Sequence, residues 1–356
     1  MRIFVVNPGS TSTKIAVFED EKAIFEKTIR HSTEELQNFK SVIDQYSFRV
    51  GVIEKELASN GFSLEGFDAF VGRGGALHPI ESGTYIVNDD MLEDLKTCRY
   101  DEHASNLGAL IAFGFAKKVG KDAYVVDPPA VDEMDVLARY TGLKGIERIT
   151  RWHALNQKAI ARRCARDIGK KYEECNFVIA HLGGGISIAA HKMGRTIDVN
   201  NCLNGDGPFS PERAGGLPVV GLLDLCMSGK YTYSEITKML AGKGGLVSHL
   251  GMNDATKVEE RIKNGDTYAK LVYKAMAYQT AKTIGEMATV LKGRVDAIIL
   301  TGGVANSKML TDWIVERVKF IAPVKIYPGE GEMEALAEGA LRVLKGEEKP
   351  KVYVKI

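Results

Sequence analysis

The same unusual element occurs twice in the chain. Apolar runs at 3–6 and 15–18 flank a Gly/Ser/Thr-rich turn at 7–14, and similar runs at 177–180 and 186–189 flank a glycine turn at 181–185. Short apolar runs joined by small residues are typical of β-hairpins, and turns of this composition leave backbone N–H groups open to an anion. One such hairpin in each half of the chain indicates a duplicated phosphate clamp.

Length and charge limit the classes of function. The chain has 356 residues, of which 45% are apolar, which is enough for two domains of about 150 residues each. Its 47 basic and 46 acidic residues leave a net charge of +1, so no overall field attracts nucleic acid or an anionic membrane. We therefore predict neither of these partners, and local basic groups must bind any anion.

The cysteines and the apolar segments predict a cytoplasmic protein. The five cysteines include no CxxC pair and no zinc-site spacing, and scattered thiols suit a reducing compartment. The N-terminal apolar run is too short for a signal peptide. The most apolar stretch, 107–116, is far shorter than the roughly 20 residues that span a membrane and has helical spacing, so we predict a buried helix there.

Helices alternate with β-rich runs in both halves, which predicts the α/β class. Strands are expected at 23–29, 69–71, 85–87, 123–126, 196–199, 297–300, 324–327 and 351–354, besides the two hairpins. Helices are expected at 33–59, 91–97, 103–119, 306–320 and 333–344. The longest irregular region, 204–221, is rich in glycine and proline but contains Arg213, so we interpret it as functional.

The first hairpin turn is a candidate phosphate site. It is not a P-loop, because GxxxxGK[ST] occurs nowhere in the chain. Its polar residues nevertheless suit phosphate oxygens, while Gly9 permits close approach of the backbone. The candidates are Asn7, Ser10, Ser12 and Lys14. The alternative is a plain hairpin with a polar turn.

Two further glycine-rich segments are candidate parts of a nucleotide site. Gly183, Gly184 and Gly185 form the second hairpin turn, and three consecutive glycines are unfavourable unless something approaches their backbone closely. Gly302 and Gly303 follow a strand and precede a helix that begins near Asn306, a layout in which a helix N-terminus accepts a nucleotide. The alternatives are a flexible bulge and a structural turn that Asn306 caps.

Together these elements resemble a known superfamily. NPGSTSTK, HLGGG and TGGVANSK stand in the order of the two phosphate elements and the adenosine element of the acetate and sugar kinase, heat-shock chaperone and actin superfamily. The strings VGRGG, VVDPP, RWHALN, NGDGPFSPERAGGLP and PGEGEMEALAEGALR are similar to those of butyrate kinases, a branch of the acetate kinase family. The likeness extends nearly from end to end.

The resemblance implies a two-lobed, actin-like (ribonuclease H-like) fold with duplicated domains, each a mixed five-stranded sheet flanked by helices, and an ATP cleft between them. The first lobe would comprise 1–150 and a C-terminal helical segment, about 333–356, on the acyl and phosphate-1 side. The second lobe, 151–332, would hold the adenosine. The resemblance also implies a homo-oligomer, at least a dimer.

Site residues follow from the same resemblance. Arg73 and Arg213 match arginines that hold the substrate carboxylate and the transferring phosphoryl group in acetate kinases. His153 and His181 match histidines that face the phosphoryl group, and Asp127 matches an acidic catalytic position. Asp127 and Glu332 match positions that arrange Mg²⁺, with Glu330 as the alternative to Glu332.

The implied reaction converts a short-chain fatty acid and ATP into an acyl phosphate and ADP, reversibly, with butyrate as the first choice. Isobutyrate, acetate and propionate remain alternatives, because one methylene is worth only about 1–3 kcal/mol in an apolar pocket. The chain departs from acetate kinases at Pro8, at the extra glycine of HLGGG and around Arg73, and these departures favour butyrate kinases. Two rivals are a sugar or polyol kinase with Asp127 as general base, and a nucleotide-dependent chaperone module.

Overall fold

The computed structural model describes all residues from 1 to 356 and divides into two compact units. The first unit comprises Met1–Asp132 and Gly331–Ile356, and the second is Glu133–Glu330. The boundary thus follows Asp132, whereas the sequence analysis placed it near residue 150. No helix combines the length and the apolar character that crossing a membrane requires.

Strands and helices alternate along the chain. The strands are β1 (Arg2–Pro8), β2 (Ser12–Glu19), β3 (Lys22–Arg30), β4 (Ala69–Gly72), β5 (Thr84–Ile86), β6 (Asp122–Val126), β7 (Asn176–Leu182), β8 (Ile186–Lys192), β9 (Arg195–Val199), β10 (Ala297–Gly302), β11 (Val324–Pro328) and β12 (Lys351–Val352). The helices are α1 (Thr33–Leu36), α2 (Tyr46–Ser59), α3 (Asp89–Lys96), α4 (Asn106–Val119), α5 (Val136–Arg139), α6 (Ala154–Asp167), α7 (Val219–Met227), α8 (Tyr233–Leu240), α9 (Gly245–Leu250), α10 (Ala255–Lys263), α11 (Thr267–Val290), α12 (Lys308–Val318) and α13 (Glu332–Leu344).

The first sheet has the order β12-β5-β6-β4-β1-β2-β3. Strands β1 and β2 form the predicted antiparallel hairpin, and β4 pairs in parallel with β1 and β6. The prediction of five strands is wrong for this sheet, which has seven. The difference arises because β5 pairs antiparallel with β6 and the C-terminal β12 adds in parallel to β5.

The second sheet has five strands, as predicted, in the order β11-β10-β7-β8-β9. Strands β7 and β8 form the second hairpin, and β10 pairs in parallel with both β7 and β11. Each sheet therefore contains an antiparallel β-meander (β1-β2-β3 and β7-β8-β9) whose first strand also pairs in parallel. The predicted α/β fold class with helix-flanked sheets is confirmed, and the two hairpins occupy equivalent places.

Glycines let helix α4 lie close to the first sheet. A Cβ atom on Gly72 would stand 2.2 Å from the carbonyl oxygen of Gly108, and one on Gly108 would stand 2.2 Å from the carbonyl oxygen of Arg73. Both glycines are thus required by close approach. This contact fixes the backbone at the end of β4, immediately before the Arg73 side chain that the sequence analysis selected.

Two predicted helices are shorter than expected. The single helix at 33–59 is wrong, because α1 ends at Leu36 and α2 begins at Tyr46. Ser41 and Asp44 exchange hydrogen bonds between side chain and backbone, so a new turn starts there. Helix α12 begins at Lys308 after a 3₁₀ turn, and its N-cap is Ser307 rather than Asn306.

Candidate active site

The first hairpin turn lies at the edge of a cavity in the first unit. Its volume is about 290 Å³. Residues from the turn, the loop after β4, the loop before α4, the loop after β6 and the start of α13 line it: Asn7, Pro8, Gly9, Ser12, Lys14, Arg73, His103, Ser105, Pro129 and Glu332. Of the predicted turn residues, Ser10 does not line the cavity.

Three predicted residues that are far apart in sequence meet in this cavity. The Nδ2 atom of Asn7 donates to Oε2 of Glu332 at 2.8 Å, and Nη2 of Arg73 lies 3.6 Å from Oε1 of the same carboxylate. Glu332 is the first residue of α13, and the N-cap residue before it, Gly331, has φ +55°. Glu330, the alternative, belongs to the other unit, where its carbonyl oxygen accepts a hydrogen bond from Asn156.

Arg73 carries an unused donor. Its side chain is 13% exposed, yet its Nη1 atom is buried without any hydrogen-bond partner. A buried guanidinium N–H that lacks an acceptor is unfavourable, and such groups in native proteins are usually satisfied by a ligand or water. Together with Lys14, Arg73 makes the cavity suited to an anion.

His103 and Ser105 were not among the predicted site residues, because the sequence pattern indicates a helix that begins at His103. Helix α4 begins only at Asn106, so both residues lie in the preceding loop and line the cavity. The Ser105 N–H and hydroxyl contact Nδ1 of His103 at 3.2 and 2.8 Å. The backbone N–H can only donate, so in the neutral ring Nδ1 accepts and Nε2 holds the proton. The small residues Ala104 and Ser105 were the sequence signal that the helix begins after His103.

The loop after β6 begins with Asp127, which the sequence analysis selected as a catalytic and Mg²⁺-arranging residue. This residue is fully buried and does not line the cavity. Its Oδ1 atom accepts hydrogen bonds from the Ser82 hydroxyl at 2.6 Å and the Gly83 N–H at 2.8 Å. Its backbone has φ +38°, which is unusual outside glycine. These contacts hold the loop after β6 in shape.

In the second unit, the two predicted histidines are stacked. The ring centroids of His153 and His181 are 3.7 Å apart, with the planes inclined by 11°. His181 lies near the end of β7, and His153 immediately precedes α6. The fold therefore brings together two side chains that are separated by a helix and a strand.

A chain of buried hydrogen bonds sets the tautomer of His153. The Gln157 side-chain nitrogen donates to the carbonyl oxygen of Ser187 at 3.0 Å and to its hydroxyl at 2.9 Å. Because a carbonyl only accepts, this fixes the amide orientation. The Ser187 hydroxyl then donates to Nδ1 of His153 at 2.8 Å. In the neutral ring, the His153 proton accordingly resides on Nε2.

His181 has the opposite tautomer. Nδ2 of Asn156 donates to the carbonyl oxygen of Glu330, so Oδ1 of Asn156 faces Nδ1 of His181 at 2.7 Å and accepts from it. Burial, and secondarily the neighbouring His153, lowers the pKa of His181 well below its usual value. His181 is therefore neutral near pH 7, with its lone pair on Nε2.

The glycine turn 183–185 is packed against the protein itself. A Cβ atom on Gly185 would lie 3.0 Å from the carbonyl oxygen of Cys202, and one on Gly184 would lie 3.2 Å from Oε2 of Glu212. The Gly184 carbonyl accepts from the Ser210 hydroxyl at 2.5 Å and the Glu212 N–H at 3.1 Å. The irregular 204–221 segment thus braces the turn.

Arg213 lies in this bracing segment and also carries an unused donor. Nη1 contacts the Glu212 carboxylate at 3.2 Å, whereas Nε is buried without a partner. Burial raises the pKa of Cys202 to about 12, against the opposing charge of Arg213. The Cys202 sulfur is 4.0 Å from Nδ1 of His153, so Arg213 and the stacked histidines belong to one neighbourhood.

The third glycine segment lies at the end of β10. Gly302 has φ +90°, and a Cβ atom there would lie 2.3 Å from the carbonyl oxygen of Leu182. Gly303 is exposed with open space around it, and the Asn306 side chain donates to the Gly303 carbonyl oxygen at 2.9 Å. The backbone conformation and the close contact therefore require a glycine only at position 302. The Asn306 side chain stabilises the 3₁₀ turn.

Comparison with known proteins places the chain in a family. The model of the acetokinase family matches residues 131–337. The structure is similar to those of an acetate kinase from Porphyromonas gingivalis (TM-score 0.79, 19% identity, 96% of this chain and 99% of that chain) and an acetate kinase from Entamoeba histolytica (0.76, 16%, 95% and 98%). It is also similar to a propionate kinase from Francisella tularensis subsp. tularensis SCHU S4 (0.74, 19%, 95% and 98%). At these identities the structural likeness concerns the fold.

Proposed function

The chain belongs to the acetokinase family of carboxylate kinases, and from this premise we propose that it transfers phosphate from ATP to a short-chain fatty acid, with butyrate as the preferred acceptor. The observation that carries the proposal is Nη1 of Arg73, a buried guanidinium donor without a partner, on a residue that lines a cavity beside a hairpin turn of phosphate-binding type. A carboxylate or phosphoryl oxygen supplies the acceptor that this donor lacks.

The chemistry requires no general base. Carboxyl groups have pKa values near about 4 to 5, so the acceptor is already ionised at neutral pH. A carboxylate oxygen forms a bond to the γ-phosphorus, the bond from that phosphorus to the bridging oxygen breaks, and its electron pair leaves with ADP. The reverse reaction regenerates ATP. What the protein must supply is positioning and neutralisation of charge.

The side chains divide these tasks. In the first unit, Arg73, Lys14 and Asn7 bind and orient anionic oxygens. Arg73 and, in the second unit, Arg213 stabilise the charge on the transferring phosphoryl group. The tautomers favour His153 as the donor to a phosphoryl oxygen, because its Nε2 holds a proton whereas Nε2 of His181 carries a lone pair.

The residues fit ATP and Mg²⁺ to different degrees. The N–H groups of Ser10 and Thr11 have no protein acceptor and suit phosphate oxygens. No group of three or more His, Cys, Asp or Glu side chains is arranged to hold a metal, but Mg²⁺ commonly binds through one or two carboxylates, phosphates and water. Glu332 fits that role in the cavity, and buried Asp127 would act through water. When bound, Mg²⁺ neutralises phosphate charge.

The alternatives rank below this proposal. A sugar kinase would need Asp127 as a base beside a hydroxyl, but its buried carboxylate accepts hydrogen bonds from Ser82 and Gly83 instead. Among acids, isobutyrate, propionate and acetate are the competitors to butyrate. The order of preference among these acids depends on the shape of the acyl pocket. Hydroxylamine trapping with each acid measures that order directly.

We also propose a cytoplasmic homo-oligomer. All five cysteines are free thiols, which suits a reducing compartment. Helix α7 buries none of its residues, and its apolar side chains are exposed: Val219 79%, Val220 70%, Leu223 56% and Met227 79%. Contiguous apolar surface of this kind usually marks an interaction site, and a second copy of the chain is the proposed partner.

Trapping of the acyl phosphate by hydroxylamine tests the function. The purified protein is incubated with MgATP and each of acetate, propionate, butyrate, isobutyrate, glycerol and glucose. We expect hydroxamate from the four-carbon acids in excess of that from acetate. ADP release with glycerol or glucose, without hydroxamate from any acid, would instead identify a sugar or polyol kinase.

A further inference from the structure

Arg49 lies directly behind the first hairpin turn. It belongs to α2, outside the segments that the sequence analysis selected, and its side chain is 1% exposed. Arg49 does not itself line the cavity. A fully buried arginine is uncommon and needs partners for its donors.

The partners of Arg49 are oxygens of the turn. Nη1 donates to the carbonyl oxygens of Gly9 at 2.9 Å and Ser12 at 3.0 Å, and to the Thr13 hydroxyl at 2.9 Å. Nη2 donates to the carbonyl oxygen of Ser10 at 3.2 Å. Gln45 Oε1 accepts from both Nε and Nη2, at 3.1 and 2.8 Å, and so orients the guanidinium plane.

The charge of Arg49 is not neutralised by any carboxylate. Its hydrogen-bond partners are carbonyl, amide and hydroxyl oxygens, and it forms no ion pair. Burial lowers the pKa of Arg49 only to about 10, so the side chain is a cation at neutral pH. The pKa of His31, which contacts the Thr13 hydroxyl at 2.8 Å, is lowered by burial and then by this charge.

The contacts with Arg49 orient the carbonyl and N–H groups of the turn. With the carbonyls of Gly9, Ser10 and Ser12 turned towards the guanidinium, the N–H groups of Ser10 and Thr11 are left on exposed residues without an acceptor. Outward amides above a buried, unpaired positive charge form an anion-binding concavity. An anion at the turn would compensate the charge that the protein itself leaves unpaired.

We propose that Arg49 is a positioning residue for phosphate binding: it holds the carbonyls of Gly9, Ser10 and Ser12 inward, directs the amides of Ser10 and Thr11 outward and supplies a buried positive charge beneath them. The inference rests on the proposed function, because it assigns the phosphate tail of ATP to this turn. It adds a determinant from α2 that neither the hairpin motif nor the cavity lining includes.

The test separates phosphate binding from general stability. Arg49→Met removes the charge and all donors, Arg49→Lys keeps the charge without the planar fork, and Leu57→Ala, on the same helix and 2% exposed, is the control for lost stability. Calorimetric affinities for ATP, AMP and inorganic phosphate are measured with each protein, together with KM values for ATP and butyrate and the titration of His31 by NMR.

For Arg49→Met we expect at least a tenfold weaker affinity for ATP, less than a twofold change for AMP and for the KM of butyrate, and a higher pKa of His31. Arg49→Lys should restore part of the ATP affinity. Leu57→Ala should lower Tm without changing the ratio of ATP to AMP affinity. If Arg49→Met does not fold, the same comparison is decided by Arg49→Lys.

The results also distinguish the two proposals. If the wild-type protein binds ATP more tightly than AMP but forms no acyl phosphate, the proposed function is contradicted. The role of Arg49 is then decided by the ratio of ATP to AMP affinity in Arg49→Met. Wild-type activity with an unchanged ATP to AMP ratio in Arg49→Met overturns the role of Arg49. Wild-type protein that binds neither ATP nor phosphate overturns it as well.

Discussion

The rings of His153 and His181 lie face to face at 3.7 Å in opposite tautomers, one with its proton on Nε2 and the other on Nδ1. Because the lowered pKa keeps His181 neutral, the rings stack without the repulsion that two imidazolium ions would have. The pair therefore presents one N–H donor and one lone pair at its Nε2 atoms. This division follows from Ser187 and Asn156, which contact the two Nδ1 atoms.

Loss of the Ser187 hydroxyl should impair turnover. Ser187→Ala removes the donor that keeps the His153 proton on Nε2, and we expect kcat to fall about 10- to 100-fold, as when a partner that orients a histidine is lost. The KM of the acid should change little. Thr280→Val is the control, because it removes an equally buried hydroxyl that bonds only to the Met276 carbonyl. Equal kcat values for both variants would contradict the tautomer argument.

Arg73→Ala and Arg213→Ala should each lower kcat by about 10³-fold or more, the range for arginines that stabilise a transferring phosphoryl group. Arg→Lys substitutions should recover only a small part, since an ammonium lacks the planar fork. The exposed Arg294, changed to alanine, is the control and should keep full activity. Turnover within a few-fold of wild type in either site variant would remove that arginine from the proposed mechanism.

Gly302→Ala should destabilise the second unit, and Gly303→Ala should not. Gly302 combines φ +90° with a contact of 2.3 Å between a new Cβ and the Leu182 carbonyl oxygen, whereas Gly303 has open space and no such φ. We expect a loss of about 1–3 kcal/mol or more in the free energy of unfolding for Gly302→Ala, from backbone strain and the clash. Chemical denaturation of both variants measures the difference, and similar midpoints would contradict it.

Stability should decrease on the acid side of neutrality. Burial lowers the pKa values of His31, His181 and His191, with nearby positive charges contributing. A histidine whose pKa is lowered on folding binds more protons when unfolded, so its contribution is complete above the unfolded value of about 6.5 and is lost as the pH falls below it. Tm should therefore be flat above about pH 7 and drop towards pH 5.

A histidine substitution isolates this effect from the titration of carboxylates. His191→Gln should reduce the slope of Tm between pH 7 and 5, because one buried neutral histidine is removed. His249→Gln alters an exposed histidine and serves as the control. If the slope is the same in both variants, buried histidine does not govern the acid side of the stability profile.

The exposed face of α7 should control assembly. Leu223→Glu places a charge in the centre of its apolar surface and should convert the proposed oligomer into monomers in analytical ultracentrifugation, because burying an unpaired charge is strongly unfavourable. Exposed Thr256, changed to glutamate on α10, is the matched control for one added negative charge. A wild-type monomer, or an oligomer that Leu223→Glu leaves intact, would contradict this assignment.

Local sequence patterns determined the hairpins, the alternation of helices and strands and the chemical type of the glycine-rich turns. These features depend on near neighbours: apolar periodicity and turn residues act within about ten positions. The same locality explains the errors. Ser41 and Asp44 interrupt the helix predicted at 33–59 because the backbone N–H of each donates to the side chain of the other. The seventh strand of the first sheet comes from the far C-terminus.

The tertiary structure decided which groups meet. Asn7, Arg73 and Glu332 share one cavity although 325 positions separate the first from the last, and His103 joins them only because its helix starts later than the pattern predicts. Nothing in the local sequence distinguishes Arg49 from an exposed arginine, because its buried position behind the turn follows from the packing of α2. Burial, tautomer and unpaired charge are properties of long-range contacts, and therefore no local pattern in the sequence carries them.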